Sequence, residues 1–94
     1  MLIQFDAAKN NTNIAKHGVS LQLAEQLEWD WLKAKPDWRV DYGEPRIIGY
    51  APIGDRVYCV VFVDRGETAH SVTRRIISLR KANMREVKDY AKQT

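Results

Sequence analysis

Arg74 to Tyr90 reads Arg-Arg-Ile-Ile-Ser-Leu-Arg-Lys-Ala-Asn-Met-Arg-Glu-Val-Lys-Asp-Tyr, an apolar, β-prone half followed by a half with helical spacing. From Arg74 to the C-terminus there are seven basic residues (Arg74, Arg75, Arg80, Lys81, Arg85, Lys88, Lys92) and two acids (Glu86, Asp89), a local net charge of +5. The whole chain carries +3, so residues 1–73 are net −2 and nearly all the basic character sits on one strand–helix unit. Charge concentrated in this way attracts phosphates or an acidic partner. Simple strand alternation puts Arg74, Ile76, Ser78 and Arg80 on one face and Arg75, Ile77 and Leu79 on the other. Ser78 and Arg80 then project together beside Lys81, at the start of the last helix, whose free N–H groups and partial positive charge suit a phosphate. The competing reading is a solvated strand end whose charges aid solubility or pair with Asp and Glu elsewhere.

The residue types that are missing narrow the chemistry. There is no Gly-rich phosphate loop, no Cys-x-x-Cys, no His-x-x-x-His and no Gly-x-Ser-x-Gly. Two histidines and one cysteine do not make a zinc site, and no metal or cofactor is expected. Arg, Lys, His, Glu and Tyr remain, and that set suits RNA cleavage without metal. The 2′-hydroxyl attacks its own phosphodiester, a base takes its proton, an acid protonates the leaving 5′-oxygen, and fixed cations stabilise the equatorial oxygens. Arginine's planar fork fits that charge better than lysine's point charge. His17, in Lys16-His17-Gly18 at the end of the first helix, has a suitable ordinary pKa, although a cation at a helix C-terminus is the commoner reason for its placement. Glu44 lies in a turn with Asp41 and Arg46, as a local ion pair or as a general base. His70 reads as an exposed loop residue. Tyr90 reads as a half-buried helix residue or as a phosphate or base contact.

Elements must position these groups. Leu2 to Phe5 reads as a short edge strand. Asp6 caps a helix over Ala7 to Lys16 that Gly18 terminates. Its apolar positions Ala7, Ile14 and Ala15 are sparse and Asn10, Asn11 and Asn13 weaken it, so it depends on tertiary packing. Ser20 caps a second helix over Leu21 to Trp29, with Leu23, Ala24 and Leu27 at helical spacing and Leu21 as a further candidate. Trp29, Trp31 and Trp38 cluster around Pro36, read as a loop anchored by large side chains, with base stacking on an exposed indole as the alternative. Arg39 to Tyr42 alternates. Arg46 to Ile53 is a strand, and Gly54-Asp55 is a two-residue hairpin turn. Arg56 to Asp64 is a central strand buried on both faces. After a turn at Arg65-Gly66-Glu67, His70 to Leu79 returns. Ala82 to Lys92 closes the chain as a helix, with Ala82, Val87 and Ala91 inward. The expected fold is a small single α+β domain spanning 1–94, an antiparallel meander with two N-terminal helices and a C-terminal helix. With no run of 18 apolar residues and no signal peptide, a cytoplasmic location is expected. Cys59, the lone cysteine, reads as a buried hydrophobe.

Several stretches together resemble the BrnT family of bacterial toxins. They are Phe5-Asp6 with Lys9, Asn13-x-x-Lys16-His17-Gly18-Val19-Ser20, Ala24, Asp41-x-Gly43-Glu44-x-Arg46 and Val60-Val61-Phe62 with Arg65. The match ends on Arg75-Ile76-Ile77-Ser78-Leu79-Arg80-Lys81-Ala82, followed by Arg85-Glu86 and Tyr90. The order is right and covers almost the whole chain. The family's Trp-Asp opening is reduced here to Phe5-Asp6, and Trp29-Asp30 stands where Phe-Asp is usual. The resemblance implies a RelE-like fold and ribonuclease activity that blocks translation and growth. It also implies a BrnA-type ribbon-helix-helix antitoxin, promoter DNA bound only through that antitoxin, and a dimer or a heterotetramer with it. It carries functional roles onto His17, Glu44, Arg75, Ser78, Arg80 and Lys81, with Lys16, Arg74, Arg85 and Tyr90 as substrate contacts. The alternative is a basic binding module that docks an antitoxin-like partner or nucleic acid without catalysis.

Overall fold

A computed structural model describes residues 1–39, 43–66, 68 and 71–92. Asp41, His70 and most of the Arg39-to-Tyr42 alternation lie outside the described residues. The elements are β1 (Leu2–Gln4), α1 (Ala7–His17), two 3₁₀ segments (Leu21–Gln26 and Trp29–Trp31), β2 (Lys33–Pro36), β3 (Ile47–Ile53), β4 (Arg56–Arg65), β5 (Thr73–Lys81) and α2 (Met84–Lys92). The strands form one five-stranded sheet in the order β1-β5-β4-β3-β2. The α+β class and the central position of the apolar β4 follow the sequence pattern. Gly54, with φ of 60°, supplies the left-handed residue of the two-residue β3–β4 turn.

Three features differ from the expected meander. The sheet is mixed, because β1 pairs parallel to β5 through Leu2↔Thr73, Ile3↔Arg74 and Gln4↔Arg75. The Trp-rich segment contains a strand, β2, antiparallel to β3, where a loop was expected. The second helix is a six-residue 3₁₀ helix. Its buried residues Leu21 and Ala24, with Leu27 at its C-cap, recur every third position, a spacing that lines up on one face at three residues per turn and drifts at 3.6.

That 3₁₀ face covers one side of the sheet. Leu21, Ala24 and Leu27 pack with Val19 on Ala51, Tyr58, Val60, Phe62, Ile76 and Leu79 to make the main core. On the second face only Ile48, Cys59 and Val61 form a buried cluster, flanked by Tyr50 and Ile77.

The helix α1 docks by hydrogen bonds rather than by an apolar stripe. Ile14 and Ala15 are exposed, and Asn13 is the buried residue. Its Nδ2 donates to the carbonyls of Val19 and Leu79, both at 2.8 Å, and its Oδ1 accepts from Leu79 N at 3.2 Å. A residue's N–H and C=O point to the same side of a strand, so the Asn13 amide stands where a neighbouring strand would, beyond the end of β1. Asn10 adds a second tie, its Oδ1 accepting from Leu21 N at 2.7 Å. Gly18, at φ 70°, turns the chain out of α1 and donates to the Ile14 carbonyl at 2.7 Å.

The helix α2 begins two residues into its expected span. Asn83 and Glu86 form a reciprocal capping box, each accepting from the other's backbone N–H at 2.9 Å. Val87 and Ala91 are exposed and Ala82 is only half-buried, so the expected inward positions are not the ones used. Glu86 and Tyr90 point inward instead, and the Tyr90 hydroxyl donates to the Trp31 carbonyl at 2.6 Å. No helix among the described residues is long and apolar enough to cross a membrane.

Candidate functional site

A β-bulge decides which side chains meet. Val61 pairs with Ser78 and Phe62 with Ile76, so Ile77 has no partner and the alternation of β5 shifts by one at that point. Before the bulge, Arg74 lies on the core face. Its guanidinium sits 4.3 Å over Phe62 and 4.7 Å over Trp29 and is paired bidentately with Asp64 at 2.7 and 2.8 Å. Arg75, opposite Val63, lies on the second face. After the bulge, Ser78 opposite Val61 and Arg80 opposite Cys59 are on that same second face. The expected set of Arg74, Ile76, Ser78 and Arg80 is therefore corrected to Arg75, Ser78 and Arg80. Lys81, opposite Tyr58, alternates to the core side and is exposed at its rim.

His17 reaches this face from the side. With Lys9, Lys16, Asn13, Ile77 and Ser78 it lines a cleft between α1 and β5. Burial, reinforced by the charges of Lys16 and Arg80, pushes the His17 pKa below its ordinary 6.5. The imidazole is therefore neutral near pH 7, the form a proton acceptor needs and the opposite of a cationic helix cap.

Arg80 is held by α2. Its Nη1 and Nη2 each bond a Glu86 carboxylate oxygen at 2.8 Å, and the Tyr50 hydroxyl donates to the same carboxylate at 3.0 Å. The Arg80 hydrogen bonds, against the opposing effect of burial, bring the Glu86 pKa down to about 2. Glu86 in turn raises that of Arg80. The capping box engages the N–H groups of Asn83 and Glu86, and the Glu86 carboxylate at the start of α2 clamps Arg80. Burial raises the Cys59 thiol pKa, which keeps it protonated and unreactive.

The remaining candidates lie apart. Glu44 pairs with Arg65 at 3.0 Å, at the far end of β4. Four strand steps separate Arg65 from Val61, the partner of Ser78, or about 13 Å along the strand. Arg85 lines a separate cleft on α2 with Met84, Lys88, Asp89 and Lys92. Tyr90 commits its hydroxyl to Trp31. Lys33 and Lys35 of β2, opposite Tyr50 and Ile48, join the second face and were not anticipated. Their alternation was legible, but the tryptophans around them read as a loop. Among the described residues no three or more His, Cys, Asp or Glu side chains gather as metal ligands.

Two depressed carboxylates set an acid limit. Asp37, bonded bidentately by Arg39 at 2.9 Å, is likewise lowered to about 2, chiefly by that arginine. A carboxylate depressed in the fold stabilises it above its unfolded pKa and loses that contribution as pH falls through the folded value. Thermal midpoints should hold from neutral pH to about 5 and fall between there and about 2. Glu86→Gln should lose on the order of 1 kcal/mol at pH 7, after solvent screening, and converge with the native chain near pH 2. Circular-dichroism melts across pH measure both effects, and parallel curves at every pH would contradict them.

The family model described as "Ribonuclease toxin, BrnT, of type II toxin-antitoxin system" matches residues 5–86. Among curated proteins none matches the chain.

Proposed function

From the premise that this chain belongs to the BrnT family of ribonuclease toxins of type II toxin–antitoxin systems, we propose that it is a metal-independent endoribonuclease working at the corner where α1 meets β5. The observation that carries this reading is that His17 and Ser78 line one cleft, with Arg80 on the same sheet face and near enough for its charge to lower the His17 pKa. In the proposed reaction His17 takes the proton of the RNA 2′-hydroxyl. The 2′-oxygen bonds the adjacent phosphorus, the bond to the 5′-oxygen breaks, and a 2′,3′-cyclic phosphate and a 5′-hydroxyl result. Arg80 and Arg75 stabilise the charge gathering on the equatorial oxygens, and the Ser78 hydroxyl donates to one of them. Lys16, exposed in the same cleft, protonates the leaving oxygen. Glu44 serves the Arg65 pair rather than the reaction.

The family implies an antitoxin partner and an RNA substrate. We extend this to a RelE-like fold acting in the cytoplasm, translation as the process blocked, and a BrnA-type ribbon-helix-helix antitoxin covering the same basic face. Incubating the purified chain with RNA in EDTA tests the reaction. Fragments ending in 2′,3′-cyclic phosphate are expected. Intact RNA that is nevertheless bound, with strong salt dependence, would replace the proposal with the non-catalytic binding module, a reading that the Glu86 clamp on Arg80 favours.

A further inference from the structure

The face that carries Ser78 and Arg80 continues across the sheet. Lys33, Tyr50, Cys59 and Arg80 stand in one register row over four strands, and Lys35 follows Lys33 on the same side. Just past β2, Trp38 is 84% exposed, in a cleft it shares with Lys35, Arg39, Ile48 and Tyr50. Ile48 and Tyr50 belong to the second face, so the indole borders the same surface as Arg80. Trp29 shows how this chain uses an indole for packing. Its ring meets Phe62 edge-on at 5.5 Å and its Nε1 donates to the Ala24 carbonyl at 3.0 Å. The Trp38 indole has no comparable engagement among the described residues.

Lys33 and Lys35, which share a cleft with Glu86 and Asp89 of α2, lead to an open aromatic ring, and the pair offers what single-stranded nucleic acid requires, charge for its phosphates and a π-face for a base. We propose that Trp38 is a base-stacking platform for the RNA strand whose scissile phosphate lies at Ser78 and Arg80, with Lys33 and Lys35 holding the phosphates in between. This rests on the RNA reading above and gives it an extended substrate. Three inter-strand spacings separate β2 from β5, about 14 Å, so the stacked base belongs to a nucleotide removed from the cleaved bond. Stacking accepts every base. The subsite therefore selects unpaired strands of sufficient length rather than a sequence, because a base inside a duplex cannot reach the ring. An acidic protein segment would use the lysines equally well but has no need of a flat ring.

The test uses the full chain and an all-2′-deoxy oligonucleotide, which cannot undergo 2′-hydroxyl attack, so binding is read apart from cleavage. Fluorescence anisotropy compares the native chain with Trp38→Ala, Trp38→Phe and Lys33→Ala/Lys35→Ala, on the intact oligonucleotide and on versions with one abasic position each. Trp38→Ala should weaken binding roughly 5- to 100-fold and Trp38→Phe much less. One abasic position should weaken the native chain to a similar degree while adding nothing to Trp38→Ala. The lysine double variant should flatten the salt dependence. Equal affinity of Trp38→Ala and the native chain overturns the proposal, as does a Trp38→Ala loss of the same size on every abasic oligonucleotide, or native affinity only for an acidic peptide. Binding that follows the expected pattern without cleavage of the corresponding RNA removes the catalytic reading and leaves the platform standing.

Discussion

His17→Ala is expected to lower RNA cleavage by about 10²- to 10⁴-fold, the range lost when a positioned general base is removed. The variant is informative because the His17 side chain makes no hydrogen bond or ion pair among the described residues, so its thermal midpoint should stay that of the native chain. The pH profile adds a second readout. A base acts unprotonated, so the native rate should rise with pH through the His17 pKa, which lies below the ordinary 6.5, and be flat at neutrality. His17→Ala should lose that limb. Arg80→Ala should cost about 10²- to 10³-fold. Alone it also strands the half-buried Glu86 carboxylate, so the matched variant is Arg80→Ala/Glu86→Gln, which removes both partners. Lys81→Ala, on the other side of the strand, should cost less than about tenfold. Cleavage assays in EDTA and growth under tight induction measure these effects. A double variant as active and as toxic as the native chain would sink the mechanism.

Asn13→Ala should be the most damaging change outside the apolar core. It deletes three hydrogen bonds and leaves the Val19 carbonyl and both polar groups of Leu79 without their partner. Buried polar groups left unmade cost roughly 1–3 kcal/mol each, partly offset where water reaches the edge, so a net loss of roughly 3 kcal/mol is expected. That is a fall of roughly 10–20 °C in thermal midpoint for a domain of this size. Asn13→Asp keeps the shape but supplies no donor for either carbonyl, and should be no better. Denaturant and thermal melts give the answer. A change under about 0.5 kcal/mol, the range of an ordinary surface substitution, would mean that α1 is held by something else.

These two residues mark how far the sequence could be read. The β4 run, the Gly54 turn, the Gly18 cap and the basic strand–helix unit were legible because each is local. Its apolar pattern, turn residues or charge lie within a few positions. Asn13 was read as a weakness of α1, since its value lies in a carbonyl and an N–H 66 residues away. The parity of Arg74 and Arg75 was open, since simple alternation favoured Arg74 and the family resemblance Arg75, and a bulge exchanges the two. Simple alternation grouped Arg74 with Ser78 and Arg80, whereas the unpaired Ile77 groups Arg75 with them. A bulge is fixed by how β5 packs on β4, which no single stretch records. The tie between Glu86 and Arg80 was missed for a different reason. The helix was expected to begin at Ala82 with no cap named, and only the fold brings the Glu86 carboxylate onto the arginine.

The parallel pairing of β1 with β5, together with the Asn13 tie, has a consequence in time. The histidine of the proposed site is synthesised early and its arginine late, with 62 positions between His17 and Arg80. At about 5–20 residues per second, roughly three to twelve seconds of translation separate them. Until β5 emerges, α1 has neither its strand edge nor an apolar stripe of its own to hold it, and an isolated helix of 11 residues is marginal in water. Until β5 joins α1 the proposed site is incomplete, so on the proposed reading activity toward RNA arrives in one late step.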